Sequence, residues 1–260
     1  MTVTRSGHAS TNTTADDLDP ATIESYRRNG FVRIPSVLTP YEVAIYRDAA
    51  ARANERMGSL TSSAVFSQII QLWRRDEVLH NLTLHRGLAA IASRLAGVDL
   101  RLWHDHLLIK KPHNGAATEF HQDAPYWPHA TSRHCLSAWI ALVDVPVERG
   151  CMTFIPGSHE RHDIRPIDLE DSTDMFRAAP DLAYEQRVTV PLRAGDCTFH
   201  NGYLAHSANP NATDDFRYAH VVIYTDVATT YDGKRHVVTD PLGLTVGQVL
   251  PDGMFPPLPG

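Results

Sequence analysis

Cysteine is scarce in this 260-residue chain: Cys135, Cys151 and Cys197 stand far apart and form no CxxC pair. Such spacing speaks against a disulfide scaffold or a zinc knuckle. Nowhere do eighteen apolar residues run together, so no transmembrane helix is expected. The N-terminus has no apolar signal core, which points to the cytoplasm. Long basic runs are missing as well, and the net charge is −6. A nucleic-acid partner needs a basic surface, so neither nucleic acid nor membrane is expected as a partner. A small molecule is the expected partner, and nothing in the sequence fixes an oligomeric state. Hydrophobic residues make up 43% and charged residues 21%, an ordinary balance for one sizeable domain.

What the chain does have is histidine, 15 residues of it. Imidazole is the commonest transition-metal side-chain ligand, so the placement of these residues matters more than their number.

Residues 1–17 are rich in Ser, Thr, Asn and Asp and read as a disordered tail. Residues 18–260 read as one domain. Asp19-Pro20 is an N-cap with proline at the first helical position, and that helix should stop at Gly30. Thr39-Pro40-Tyr41-Glu42 is a capping box that opens a helix to about Met57. Further helices are expected near Ser63–Trp73 and His85–Ala96, the second ended by Gly97. Phe31–Pro35 reads as a short strand. This helical front spans about 18–97. From about 98 to 230 the texture is β: Leu100–Lys110, Cys135–Val145, Cys151–Ile155, Arg187–Val190, Asp196–His200 and Arg217–Asp226, punctuated by Gly and Pro. Short strands after a helical front predict a β-sandwich or barrel with a helical layer. The tail after Pro241 should pack as extended coil.

In Thr118-Glu119-Phe120-His121-Gln122-Asp123, His121 and Asp123 are two positions apart. On an extended segment both would face the same side. A second imidazole completes a facial triad of two His and one carboxylate, which leaves three iron positions open. His206 lies in Gly202–Asn209, downstream of the turn and strand Ala194–Phe199. Arg217 follows His206 by eleven residues and heads an apolar run. A dicarboxylate that chelates iron at one end needs a cation at the other, and arginine stays charged when buried. HxD alone is common in a histidine-rich chain, and a lone arginine usually ends in a surface ion pair.

Taken together, His121-Gln122-Asp123, Ala138-Trp139, Gly150-Cys151-Met152-Thr153-Phe154-Ile155-Pro156-Gly157-Ser158-His159, His206 and Arg217 resemble the phytanoyl-CoA dioxygenase family. The likeness extends from about Gly30 to about Asp226. It implies a double-stranded β-helix, or cupin-like jelly-roll, core packed against N-terminal helices. It also implies Fe(II), 2-oxoglutarate as co-substrate, and O2. Residue by residue, it places the metal ligands on His121, Asp123 and His206, and the 2-oxoglutarate arginine on Arg217. Trp139 and Leu107 are expected in the same pocket, with Gln68 reaching in from the helical front. The family often carries serine two positions after the distal histidine; this chain has Ala208, so one hydrogen bond to 2-oxoglutarate is in question. The implied chemistry is oxidation of a C–H bond, by hydroxylation or by radical cyclisation, epimerisation or desaturation, in a setting such as secondary metabolism. Asp123 argues against halogenation, which needs a small residue there.

Phe120, Tyr126, Trp127 and Met152 flank the metal motifs and are expected to line the substrate pocket, with His106 from Leu100–Lys110. The stretch Ile164–Tyr184 is a candidate loop over the site. Two alternatives share the fold. One is a cupin-like isomerase using the HxH of His104-Asp105-His106; the other is a metal-binding jelly roll without catalysis. The destination of Arg217 separates the first from an oxygenase.

Overall fold

The computed structural model describes residues 12–57, 65–130 and 132–258. Helix α1 is Pro20–Asn29, and the Asp19 carboxylate accepts the Thr22 amide hydrogen bond at 2.7 Å. It stops where Gly30 takes φ 80°, a left-handed conformation that favours glycine. Space also demands glycine there, because a Cβ would stand 2.6 Å from His159 Nδ1. Strand β1 is Phe31–Ile34. Helix α2, Pro40–Met57, opens with the expected reciprocal cap: Thr39 N donates to Glu42 at 2.8 Å and Glu42 N donates to Thr39 Oγ1 at 3.1 Å.

The expected helix over Ser63–Trp73 is a correction. Residues 63 and 64 lie outside the described residues, and Ser67–Ile70 forms strand β2 instead. Its burial alternates, Ile69-Ile70 is β-branched, and Gln71 at φ 58° breaks the chain before a helix could continue. A helix that was not anticipated follows: α3, Glu77–Thr83, capped by Asp76. Helix α4, Arg86–Ala96, ends at Gly97 as expected. Of the expected disordered tail, residues 1–11 lie outside the described residues. Residues 12–17 are docked, with Thr13 N bonded to Ser36 O at 2.9 Å and Ala15–Asp17 forming a 3-10 turn. Their polar side chains find local partners, which composition alone does not show.

The remaining strands are β3 Leu100–Lys110, β4 Thr118–His121, β5 Leu136–Ala141, β6 Met152–Phe154, β7 Val188–Val190, β8 Cys197–Asn201, β9 His206–Ala208 and β10 Arg217–Asp226. They form a six-stranded sheet, β1-β8-β5-β10-β3-β2, and a four-stranded sheet, β4-β9-β6-β7. Every paired neighbour is antiparallel. The two sheets make a jelly roll, and helices α1–α4 cover the outer face of the larger sheet.

Alternation along the strands sorts the side chains into two layers. Leu102, Leu107, Ile109, Ala138, Phe199 and Val222 pack outward against Tyr46, Leu79, Leu88 and Ile91 of the helices. Trp139, Val221, Ile223, Met152 and Phe154 pack inward between the sheets. One irregularity matters for the site. β10 pairs Ile223 with His104 and Tyr224 with Leu102, so Trp103 is an extra residue and β3 bulges there. The bulge resets the phase of β3, and Trp103 joins the inner layer beside His104.

The segment 161–184 has its own small core. Ile164, Ile167, Met175 and Leu182 close over Phe120 and Ile155. It contains helix α5, Asp174–Ala178. Tyr126 ties it to the barrel, since its hydroxyl donates to Ile167 O and accepts from Ile167 N. The C-terminal residues are irregular but pinned. Arg101, buried, donates to Val227 O at 2.8 Å and to Leu250 O, and Phe255 stacks on Trp103 at 5.1 Å. Among the described residues no helix is long and apolar enough to cross a membrane.

Half-buried His129 keeps both ring nitrogens away from solvent. Burial holds its imidazole down at about 3, with neither ring nitrogen hydrogen-bonded. The folded value lies below the unfolded one, so this residue's stabilising contribution is whole above about pH 6.5 and fades as pH falls. Unfolding free energy should drop by up to about 1.4 kcal/mol per pH unit through His129 between about pH 6 and 4. His129→Phe should flatten that slope in denaturant titrations; an unchanged slope would contradict it.

Candidate active site

Strands β4 and β9 are neighbours in register, with His121 opposite His206. Asp123 follows β4 in a turn, so its carboxylate returns to the two imidazoles. Asp123 Oδ1 lies 3.5 Å from His121 Nε2 and 3.8 Å from His206 Nε2. One ligand atom from each residue falls within a 4.8 Å cluster, the metal-binding group found among the described residues. The tautomers suit a metal. His121 Nδ1 donates to Glu119 O at 2.7 Å and His206 Nδ1 donates to Leu204 O at 2.9 Å. Each Nε2 lone pair is thereby turned toward the shared space.

Asp123 Oδ2 is steadied from behind by Ser137 Oγ at 3.4 Å and His200 Nε2 at 3.7 Å. Burial alone would raise its pKa. The histidines around it, His206 foremost and then His121 and His200, outweigh burial and hold the carboxyl well below the usual range. Burial, followed by His121, lowers the pKa of His206 to about 3. The donor set is two imidazoles and one carboxylate, the composition an iron site of this type needs. His200 and Ser137 were not anticipated. They sit opposite each other across β5 and β8, and only that register brings them to Asp123.

Arg217 begins β10 and is 1% exposed. It faces the same cavity as the triad. Nη1 reaches Gly150 O at 3.3 Å, Nε has no hydrogen-bond partner, and the guanidinium lies 5.3 Å from the Trp139 ring centre. No salt bridge joins it to a carboxylate among the described residues. Burial draws its pKa down to about 9. Lys110 stands opposite Arg217 in the β3–β10 register, fully buried, and donates to Ala116 O at 2.8 Å. Burial, followed by Arg217, brings its pKa down to about 7. Sequence reasoning missed Lys110, because a lysine ending a strand reads as a solvated edge. A buried cation without a counter-ion is costly unless an anion comes to it. The residues present thus fit a chelated dicarboxylate.

The cavity, about 450 Å³, is lined by Gln68, His106, Tyr126, Trp127, Trp139 and Met152 as expected, together with the triad and Arg217. Gln68 arrives on β2, pairs with Leu108 and hydrogen-bonds His106. Two expectations are corrected. Leu107 faces the helices, fully buried in the outer layer, and Leu108 lines the cavity instead. His106 faces the cavity, and alternation sends the next residue to the other side. Phe120 packs under the segment 161–184, 5.6 Å from Phe176, because its neighbour His121 faces inward. Leu107→Ala should cost about 2–5 kcal/mol of stability and leave 2-oxoglutarate binding intact. Leu108→Ala should weaken 2-oxoglutarate binding severalfold with a smaller loss in Tm. The reverse pattern would return Leu107 to the pocket.

A sequence profile of the phytanoyl-CoA dioxygenase family matches residues 26–219. The chain belongs to the phytanoyl-CoA dioxygenase family. Among solved structures, the non-heme alpha-ketoglutarate-dependent carbocyclase SnoK from nogalamycin biosynthesis superposes with a TM-score of 0.86. It is 36% identical, over 96% of this chain and 100% of that one. The epimerase SnoN, solved with Fe3+, alpha-ketoglutarate and nogalamycin RO, has a TM-score of 0.80 and 37% identity, over 93% of this chain and 100% of that one. Phytanoyl-CoA dioxygenase domain-containing protein 1 of Mus musculus is 33% identical over 128 residues, 47% of this chain and 44% of that protein. The match thus spans less than half of that curated relative. The family's jelly roll is the fold described above.

Proposed function

We propose that the chain is a non-haem Fe(II) dioxygenase that uses 2-oxoglutarate and O2 to oxidise a C–H bond of a small organic molecule. His121, Asp123 and His206 hold the iron, and Arg217 grips the far carboxylate of 2-oxoglutarate. The observation that carries this reading is Arg217: a buried cation with no carboxylate partner among the described residues, in the cavity that the triad shares. A cupin-like isomerase would give that charge no purpose. The alternative HxH, His104 and His106, stands outside the cluster of converging ligand atoms.

Bound together, iron, 2-oxoglutarate and O2 supply an oxidant that takes hydrogen from a C–H bond, with succinate and CO2 as co-products. The chain's part is position and electrostatics. The backbone carbonyls of Glu119 and Leu204 fix the imidazole tautomers. Ser137 and His200 hold Asp123 with Oδ1 toward the metal position. Trp139 stacks under the Arg217 guanidinium and Leu108 walls the co-substrate end. Where a serine is usual, Ala208 stands opposite Thr118 in the β4–β9 pairing, and Thr118 lines the cavity. Its hydroxyl takes over that hydrogen bond. Tyr126 and Trp127 face the substrate end, and the segment 161–184, fastened by Tyr126, keeps water from that side.

The likeness to SnoK and SnoN favours a substrate from specialised metabolism. It also makes cyclisation or epimerisation as reasonable an outcome as hydroxylation. The cysteines are free and buried, which suits the reducing cytoplasm. The test is succinate release from 2-oxoglutarate under air. Release that requires iron and stops with a chelator supports the reading, and no release under any iron loading refutes it.

A further inference from the structure

Three histidines that the metal does not use, His104, His106 and His236, line the substrate end of the cavity. Two come from β3, and the third comes from the C-terminal segment, which folds back over the barrel mouth. His104 lies 5.5 Å from His106 and 5.7 Å from His236, ring centre to ring centre.

In each ring Nδ1 is engaged by the protein, and this decides what Nε2 can do. His104 Nδ1 donates to Asp105 O at 3.2 Å, so its Nε2 is a bare acceptor. Gln68 Nε2 donates to His106 Nδ1, so the His106 proton sits on Nε2. Val238 N donates to His236 Nδ1 at 3.2 Å, so His236 also carries its proton on Nε2. Burial lowers the pKa of all three, which keeps them neutral and these roles fixed. None of the three Nε2 atoms bonds to another described residue. The wall therefore offers one acceptor and two donors. The bulge at Trp103 is what turns His104 to this face, and Trp103 packs against both His104 and His236.

We infer that His104, His106 and His236 form a seat for one hydroxyl group of the substrate, which gives its hydrogen to His104 and accepts from the other two. This rests on the dioxygenase reading and names its substrate class: an alcohol or phenol carried on an apolar, ring-bearing body. An alcohol oxygen gives one hydrogen bond and accepts two, the complement of this set. The spacing fits. An Nε2 at hydrogen-bond distance from an oxygen puts its ring centre about 4 Å away, so ring separations of 5.5 and 5.7 Å subtend roughly right angles at that oxygen. Trp127 and Tyr126 supply flat walls for the ring. A carbonyl or ether would leave His104 Nε2 unmatched, and a hydrocarbon would leave all three.

The test uses 2-naphthol and naphthalene as probes, with protein loaded with iron and 2-oxoglutarate in the absence of oxygen. Calorimetry first measures 2-oxoglutarate binding and then the affinity for each probe. The wild type should prefer 2-naphthol by roughly tenfold to a hundredfold. His104→Phe and His236→Phe keep the ring contacts to Trp103 and should bring the ratio close to one, with 2-oxoglutarate affinity and Tm little changed. Intact 2-oxoglutarate binding with equal affinity for the probes, or with no binding of either, overturns the hydroxyl seat and leaves the dioxygenase reading standing. So does a preference that survives in both variants. Failure to bind 2-oxoglutarate at all overturns both.

Discussion

Asp123→Ala is expected to abolish iron-dependent succinate formation while the protein still folds. In the proposed iron site Asp123 is the carboxylate of the three-residue group, and Oδ1 is the atom within 3.8 Å of both imidazole nitrogens. Losing a supporting partner of a metal ligand costs about ten- to a hundredfold in affinity or activity. Losing the ligand itself should exceed that, so turnover should fall by well over about a hundredfold. The fold should persist, because the side chain lies on a turn at the cavity and supports neither core layer. Iron content after desalting and the thermal melt are the checks. A variant that keeps its iron and its turnover would mean that the triad is misassigned. Ser137→Ala makes a milder contrast, since Asp123 keeps His200 behind it.

Arg217→Ala should raise the 2-oxoglutarate concentration needed for half-maximal succinate formation by about ten- to a hundredfold, the worth of a buried charged hydrogen bond. Iron affinity should hardly move, because Arg217 touches none of the three ligands. Arg217→Lys should rescue only part of the loss, since an ammonium lacks the planar fork that meets a carboxylate and stacks on Trp139. Lys110 lies close by and would limit the damage by supplying some of the missing charge. Arg217→Ala should also leave the protein no less stable without co-substrate, because it removes a buried charge that has no counter-ion among the described residues. An unchanged 2-oxoglutarate requirement would refute the assignment. Marked destabilisation of the co-substrate-free protein would argue that the arginine is structural.

Much of this site was legible because its chemistry is written in short local spacings. His121 and Asp123 are two residues apart, and Arg217 opens a strand whose bounds the apolar run gave directly. Caps at Asp19, Thr39 and Gly97 announced three helices through their own hydrogen bonds. What escaped depended on pairing across the sheet. His106 and Leu107 were both expected in the cavity, although strand alternation permits only one of two neighbours. With β3 buried on both faces, apolarity could not set its phase, and the bulge at Trp103 shifted it again. Phe120 fails for the same reason beside His121. The segment Ser67–Ile70 looked helical because a short edge strand owes its conformation to its partner rather than to its composition. His200, Lys110 and His236 reach the site only through register or through the returning C-terminal segment. No spacing in the sequence could have signalled them.

The most direct measurement is a crystal structure of the protein grown with Fe(II) and 2-oxoglutarate without oxygen. The account predicts one metal bound by His121 Nε2, Asp123 Oδ1 and His206 Nε2, with the remote carboxylate of 2-oxoglutarate forked on Arg217. A metal held instead by His104 and His106, or a 2-oxoglutarate whose remote carboxylate lies away from Arg217, would contradict it.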